Sequence, residues 1–168
     1  MGMTMYAASV PVMKQMLSGL SHCLGKAAAS AEARKFDSAV LVGSRLAPDM
    51  FALARQVQIA TDGAKGGVAR LAGVEIPKFE DTESTIAELQ ARIEKTLTFI
   101  ESVPAASIDG TEHKDITIQV AKQDMHFKGE GYLLHWVLPN FFFHVTTAYN
   151  ILRHNGVDVG KRDYLNRA

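Results

Sequence analysis

The amino-acid sequence predicts an all-α domain, in which four helices run up and down as a bundle and a short β-hairpin precedes the last helix. Two patterns lead to this prediction. Apolar side chains recur at helical spacing in four long segments, and apolar and polar residues alternate, as in a strand, between the third and the fourth. The length of 168 residues suits one domain, so residues 1–168 are taken as a single folded unit.

The first helix is predicted over residues 6–29. Its apolar side chains recur at helical spacing and form one stripe along the segment. Pro11 falls near the start of the helix, where its missing backbone N–H costs little. The stripe consists of Val10, Met13, Leu17, Leu20 and Leu24.

The second helix is predicted over residues 48–73, with Pro48 in its first turn and Gly73 at its end. It contains three further glycines, and a glycine inside a helix costs about 1 kcal/mol relative to alanine. Such small residues allow either the close crossing of another helix or the close approach of a ligand, and we favour helix crossing. The three glycines are Gly63, Gly66 and Gly67.

The third helix is predicted to start at Thr85 and Glu88, which have the spacing of a capping box. Apolar residues then follow at helical spacing until Pro104 closes the segment. The charged residues of this segment are expected to form its solvated face. The apolar positions are Ile86, Leu89, Ile93, Leu97 and Ile100, and the charged positions are Arg92, Glu94 and Lys95.

A two-stranded hairpin is predicted over residues 115–129, because Ile116, Ile118 and Val120 alternate with polar residues. The letters AKQD form its predicted turn, and the return strand is expected to begin at Met125. A hairpin of this size is marginal in water by itself, so its apolar face is expected to rest on the helices.

The last helix is predicted over residues 131–156 and ends at Gly156. Pro139 is expected to kink this helix or to split it after one short piece. The tail that follows is predicted to be irregular in backbone, and we expect it to dock on the bundle through Tyr164 and Leu165.

Composition excludes two classes of partner. The formal net charge is +0, and no basic run offers a footprint for nucleic acid or for an anionic membrane surface. The longest apolar stretches are shorter than the roughly 20 residues that span a membrane, and no signal-peptide pattern opens the chain. Cys23 is the only cysteine, which we expect to be a buried, unreactive thiol. These features lead us to expect a cytoplasmic protein.

Four stretches, in this order and at this spacing, together carry a family resemblance. They are RLAPDM, QVQIATDGAKGG, PNFFFHVTTAYNILRHNGV and GKRDYL. Their joint occurrence resembles a bacterial domain-of-unknown-function family within the DinB-like superfamily, and the resemblance extends over residues 6–165. It implies a four-helix bundle with a hairpin before the last helix. It also implies kinship with metalloenzymes and with metal-dependent thiol transferases.

The resemblance further implies where a metal site would lie. Members of the superfamily typically carry one histidine on the second helix and an HxxxH pair on the last helix. The second member of that pair precedes a glycine, as His144 precedes Gly156 by twelve residues, but Asn140 stands at the first position. Residues 48–73 contain no histidine. We therefore expect a degenerate metal site that holds no metal, and no cofactor.

The candidate ligand-binding residues are Asp49, Gln56, Asn140 and His144, and no catalytic residue is identified. Asn140 and His144 are four residues apart and share a helical face, with Asp49 and Gln56 as candidates for the facing wall. Alternatively, Asp49 lies in the first turn of the helix and only interacts favourably with the helix dipole. Three interpretations stay open for the histidine: a polar pair in the core, a small-molecule pocket, and a working metal site. We expect His144 to be buried and neutral near pH 7, because apolar surroundings disfavour the imidazolium.

Two functions are compatible with these features. The first is a small-molecule-binding or residually enzymatic protein, whose pocket lies between the second and the last helix. The second is a structural or interaction protein that keeps the bundle without catalytic activity. The letters LLHWVL and FFF spread apolar side chains over several faces of the last helix, a pattern typical of an interface. We therefore expect a homodimer with two-fold symmetry.

Overall fold

The protein is mostly helical and carries one small antiparallel hairpin of two strands. The computed structural model describes residues 2–167. Its elements, in chain order, are α1 (Val10–Ala33), α2 (Ala39–Val42), α3 (Leu53–Ala72), α4 (Ile86–Ser102), β1 (Asp115–Val120), β2 (Gln123–Lys128), α5 (Gly129–Tyr132), α6 (Leu138–His154) and α7 (Lys161–Tyr164).

The longest helices, α1, α3, α4 and α6, enclose the core. Contacts join α3 to α6, α3 to α4, α1 to α4, and α1 to α6. The predicted stripe of α1 is confirmed, since each of its five apolar residues is buried. No helix within residues 2–167 combines the length and the apolar character that crossing a membrane requires.

Helix α3 corresponds to the second predicted helix, but it begins at Leu53, so the predicted start at residue 48 was wrong. The backbone of Ala52 is extended, and the N–H of Leu53 donates to the carbonyl oxygen of Ser44 at 2.9 Å. This bond closes residues 44–53 into a loop before the helix can begin. Gly73 ends the helix in the left-handed conformation, as predicted, with φ at 75°.

A close helix contact explains one of the glycines in α3. A Cβ atom at Gly67 would lie 2.6 Å from Cγ1 of Val137, which is closer than carbon atoms tolerate. Glycine at this position therefore lets α3 approach the segment before α6, in agreement with the helix-crossing interpretation. No close contact requires a glycine at position 63, because no atom lies within 4 Å of a Cβ placed there.

Helix α4 begins with the predicted capping box. The backbone N–H of Glu88 donates to the Thr85 hydroxyl at 3.2 Å, and the Glu88 carboxylate accepts from the N–H of Thr85 at 2.9 Å. The buried face contains the predicted Ile86, Leu89, Ile93 and Ile100. Arg92 was predicted to be solvated, and this was wrong: only 2% of the residue is exposed.

The hairpin pairs β1 with β2 in the register from Asp115 opposite Lys128 to Val120 opposite Gln123. Its turn is shorter than the predicted AKQD, because Ala121 and Lys122 alone make it, both with positive φ. Ile116 and Ile118 of β1 are buried, as the alternating pattern predicted.

Pro139 lies in the first turn of α6, and residues 129–154 are helical throughout, so the last predicted helix is not split at this proline. Before it, the short α5 continues into one wide π-helical turn, Leu133–Val137. A proline cannot donate to the carbonyl one turn back, and the irregularity in the helix is this π-helical turn just before it. The tail beyond α6 is more ordered than predicted, since Lys161–Tyr164 form the short helix α7.

Candidate functional site

His144 of α6 and Gln56 of α3 form a hydrogen-bonded pair where the two helices meet. Nδ1 of His144 lies 2.7 Å from Oε1 of Gln56. Gln56 is 1% exposed, and its amide Nε2 donates to the carbonyl oxygen of Phe51 at 3.1 Å. The helix contact thus brings together two of the four predicted site residues, although they are 88 positions apart in the chain.

The surroundings of His144 favour the neutral imidazole. Burial lowers its pKa below the ordinary value, and the nearby positive charge of Arg55 lowers it further. The Phe143 ring packs perpendicular to the imidazole, with the ring centroids 5.2 Å apart. The side chain is half-buried, whereas the sequence predicted it to be buried, because its outer neighbour Phe143 is itself 56% exposed and leaves the imidazole partly open.

Asn140 and Asp49 do not join the pair. Asn140 is exposed, and its amide Nδ2 donates at 2.7 Å to the carbonyl oxygen of Trp136, one turn back in the chain. Asp49 is exposed in the loop that precedes α3, because the helix starts later than predicted. Within the described residues, neither side chain contacts Gln56 or His144 through a hydrogen bond. Their assignment to a binding site therefore stays a prediction.

The donors at this position do not fit a transition metal. One imidazole nitrogen is available there, and Gln56 contributes only a neutral amide oxygen that His144 already uses. Zinc sites use several nitrogen, sulfur or carboxylate ligands around one ion. Across residues 2–167, no group of three or more histidine, cysteine, aspartate or glutamate side chains is arranged to hold a metal ion.

A second polar cluster, which the sequence analysis missed, surrounds Arg92 and is called the Arg92 network here. Nε of Arg92 donates to the Thr61 hydroxyl at 2.8 Å. Its two terminal nitrogens reach carboxylates of Asp62 at 2.8 Å, Asp81 at 3.0 Å and Glu83 at 3.0 Å. The guanidinium therefore ties α4 both to α3 and to the loop that connects these helices.

The same loop is held by aromatic and electrostatic contacts. Phe79 lies beneath two cations, with Nζ of Lys65 at 4.9 Å and the guanidinium carbon of Arg92 at 5.6 Å from its ring centroid. Burial alone would raise the pKa of Glu83, but hydrogen bonds from Arg92 and Gln58 outweigh it and lower that pKa. Because the guanidinium of Arg92 is already paired with three carboxylates of the protein, we interpret the network as structural.

The tail is fastened by a third cluster, built around Asp163 of α7. Its Oδ1 lies 2.9 Å from Nε2 of His22 and accepts from Nζ of Lys26 at 3.1 Å. Its Oδ2 accepts from the backbone N–H of Gly160 at 2.7 Å, which is the largest cause of a pKa lowered to about 2. His22 of α1 is therefore a partner of the tail.

The docking of the tail through its aromatic residue agrees with the prediction. The Tyr164 ring packs on Tyr149 with centroids 5.5 Å apart, and its hydroxyl is 2.8 Å from that of Thr146. Leu165 takes part through its backbone, whose carbonyl accepts from Gln15 at 2.9 Å. A Cβ at Gly19 of α1 would lie 2.5 Å from the carbonyl oxygen of Tyr164, so the tail passes unusually close to α1.

Comparison with known proteins agrees with this architecture. A crystal structure of a DinB family member protein from Shewanella denitrificans superposes with a TM-score of 0.87 and is 46% identical in sequence. The match covers 95% of this chain and 90% of the other. The family model for a domain of unknown function, DUF1993, matches residues 5–165. Among curated proteins, none matches the chain.

The fold and the similarity place the protein in the class of DinB-like helical proteins. Within that class, the chain belongs to the domain-of-unknown-function family DUF1993.

Proposed function

We propose that the protein is an up-down four-helix bundle that binds a small molecule at His144, with residual enzymatic activity as one form of that function. The contacts of α3 and α6 with each other and with their neighbours support the bundle. The Gln56–His144 pair supports the binding site, because it sets a titratable side chain where two helices meet. We place this function in the cytoplasm, which the single, unpaired cysteine favours.

The second ring nitrogen of His144 carries the proposal. Within residues 2–167, Nε2 has no hydrogen-bond partner, and no buried side-chain nitrogen or oxygen lacks one. Nε2 is therefore not fully buried, while Nδ1 is bonded to Gln56 inside the protein. A polar atom of this kind, beside the exposed ring of Phe143, offers a ligand both a hydrogen bond and an apolar contact.

The pocket predicted between the second and the last helix is not among the described cavities. The cavities described elsewhere in the molecule include one of about 380 Å³ beside Arg92, and none of those described is lined by Gln56, Asn140 or His144. We therefore propose a shallow site that a ligand covers from outside. In this proposal the superfamily's metal site is degenerate, since the donors around His144 do not fit a metal.

A thermal-shift experiment tests the proposal. Small phenols, thiols and carboxylic acids are added to the purified protein, and zinc, nickel and manganese salts form separate arms. A ligand at about ten times its Kd adds about 1.4 kcal/mol of stability. This raises Tm by roughly 3–5 °C in a chain of this size. We expect at least one organic probe to give this rise, and the metals to give none.

The His144→Gln variant identifies the site of any such effect, because it should abolish the rise in Tm. His154, exposed near the end of the same helix, provides the matched control, and His154→Gln should keep the full rise. If no organic probe shifts Tm, or if His144→Gln responds as the wild type does, the proposed binding site is wrong. A metal-dependent rise that disappears with His144 would point to a metalloprotein instead.

A second candidate function, an interaction protein that acts as a homodimer, is favoured by exposed apolar side chains. Phe51, Leu134 and Phe143 are 58%, 42% and 56% exposed. Burying large apolar side chains of this kind stabilises an interface. In this alternative the bundle has a structural role and no catalytic activity.

Light scattering tests the dimer. At micromolar concentration we expect twice the chain mass of 18.3 kDa. Phe143→Ser should shift the protein towards the monomer, because it removes an apolar side chain from the proposed contact. Met3 is also largely exposed, at 83%, so Met3→Ser serves as a control outside the helices. A wild-type mass of one chain would refute the homodimer.

A further inference from the structure

We propose that Gln56 is a positioning residue that holds His144 as the Nδ1–H tautomer and so makes Nε2 the hydrogen-bond acceptor of the site. The proposal begins with the orientation of the Gln56 amide. Its nitrogen lies 3.1 Å from the carbonyl oxygen of Phe51, which can only accept a hydrogen bond. The nitrogen must therefore face Phe51, and Oε1 must face His144.

A flipped amide would be unfavourable at this position. It would set the glutamine oxygen against the Phe51 carbonyl oxygen, and Gln56 is only 1% exposed, so water could not relieve the contact. Leaving a buried donor or acceptor unsatisfied costs about 1–3 kcal/mol. The Phe51 carbonyl thus selects one orientation of the amide.

The orientation of the amide then selects the tautomer of the imidazole. Oε1 of Gln56 is an acceptor, and it lies 2.7 Å from Nδ1, so Nδ1 must carry a proton. In the neutral ring the other nitrogen is then an acceptor. Burial and Arg55 both lower the pKa of His144, which favours this neutral form of the ring.

This assignment limits the chemistry of a ligand, a step that rests on the proposed binding function. Nε2 can accept a proton or a hydrogen bond but has none to give. The site therefore suits a small molecule that presents an O–H or N–H donor. The Phe143 ring beside the imidazole favours an apolar or aromatic body next to that donor.

Long-range ¹H–¹⁵N NMR of the ¹⁵N-labelled full chain at pH 8 tests the tautomer directly. The His144 signals are assigned by their loss in His144→Gln. In the wild type we expect a protonated, pyrrole-type Nδ1 and an unprotonated, pyridine-type Nε2. In Gln56→Leu the proton should move largely to Nε2, the site that free histidine prefers. An Nε2–H ring in the wild type, or an unchanged ring in Gln56→Leu, would overturn the proposal.

Two further variants separate the acceptor role of Gln56 from a general effect of substitution on α3. Gln56→Glu keeps an acceptor oxygen for Nδ1 and should keep Nδ1–H, although its second oxygen faces the Phe51 carbonyl oxygen and so lowers stability. Its charge should raise the titration midpoint of His144 by about 1 unit or more. Gln58→Leu is the matched control on the same helix, because Gln58 is also buried but bonds to Glu83. This control should leave the tautomer of His144 unchanged, and a change there would count against a specific role for Gln56.

Phenol and its methyl ether separate the tautomer from the binding function. Phenol, which has a donor, should shift the Nε2 resonance of the wild-type protein, and the ether should not. If neither probe shifts it while the tautomer is as expected, the positioning role of Gln56 stands and the ligand class is wrong. If both shift it equally, Nε2 does not select donors, and the ligand class is again wrong.

Discussion

Replacement of Arg92 by methionine is expected to lower the free energy of unfolding by about 3 kcal/mol, the largest effect of any single change considered for this protein. Removal of one partner from a buried ion pair costs about 3–5 kcal/mol, because the remaining charge is left without compensation. The lower end applies here, since Asp62 and Asp81 keep 38% and 40% of their side chains exposed, and water screens them in part. Methionine fills much of the same volume, so the loss reports the charge network rather than a cavity.

Urea unfolding at pH 7, followed by circular dichroism, measures this effect. Lys95→Met is the matched control, because Lys95 is a cation on the same helix but is exposed. Exposed positions of this kind usually change stability by less than about 0.5 kcal/mol. A loss below about 1 kcal/mol for Arg92→Met would show that the Arg92 network contributes little to stability.

Replacement of Asp163 by asparagine is expected to cost about 2 kcal/mol at pH 7. The asparagine side chain keeps the shape of aspartate but loses the negative charge that binds His22 and Lys26. A hydrogen bond to a charged group contributes about 1.5–3 kcal/mol to stability. Asp158→Asn provides the control, since Asp158 is an exposed aspartate in the same part of the chain.

The pH dependence gives this prediction a definite sign. The folded-state pKa of Asp163 is lowered from 3.8 to about 2, so folding favours the carboxylate. Its contribution is therefore fully present above about pH 4 and is lost as the pH falls through about 2. The stability difference between the wild type and Asp163→Asn should shrink across that window. A difference that stays constant down to about pH 2, or grows there, would contradict the ion-pair account.

Features set by neighbouring residues were predictable from the sequence. The capping box of Thr85 and Glu88 depends on side chains three positions apart, so its pattern is visible in the chain itself. The alternation in β1 and the stripe of α1 likewise depend on local periodicity, and both are confirmed. The hydrogen bond between Gln56 and His144 cannot be predicted from local spacing, because it depends on how α3 packs against α6.

The Arg92 network and the Asp163 cluster were missed because no local spacing pattern links their members. Arg92 was assigned to the solvated face by its charge, yet it lies three positions after Leu89 and directly before Ile93, on the buried side. Periodicity places it there, but only the loop with Asp81 and Glu83 makes that burial tolerable. His22 and Asp163 are separated by 141 positions, and no local pattern links them.

The start of α3 failed as a prediction for a related reason. Pro48 is compatible with a first helical turn, but the bond between Leu53 and Ser44 holds a loop there instead. The same error placed Asp49 on a helical face. Asn140 shares the helix of His144 and nevertheless faces outward, because helical spacing gives the angle between side chains and not the direction of the core.

Cys23 gives the protein an internal reporter of its own opening. This single thiol is 1% exposed, and burial raises its pKa to about 11, with the negative charge of Asp163 adding to the effect. Thiol reagents attack the thiolate, so a closed molecule should be almost inert to them. Labelling of the native chain would therefore follow the fraction of molecules in which α1 has lost its cover. The rate of this opening can thus be measured without introducing another cysteine. The carboxylate of Asp163, which binds the tail to α1, also lowers the reactivity of Cys23 in the closed molecule by raising its pKa.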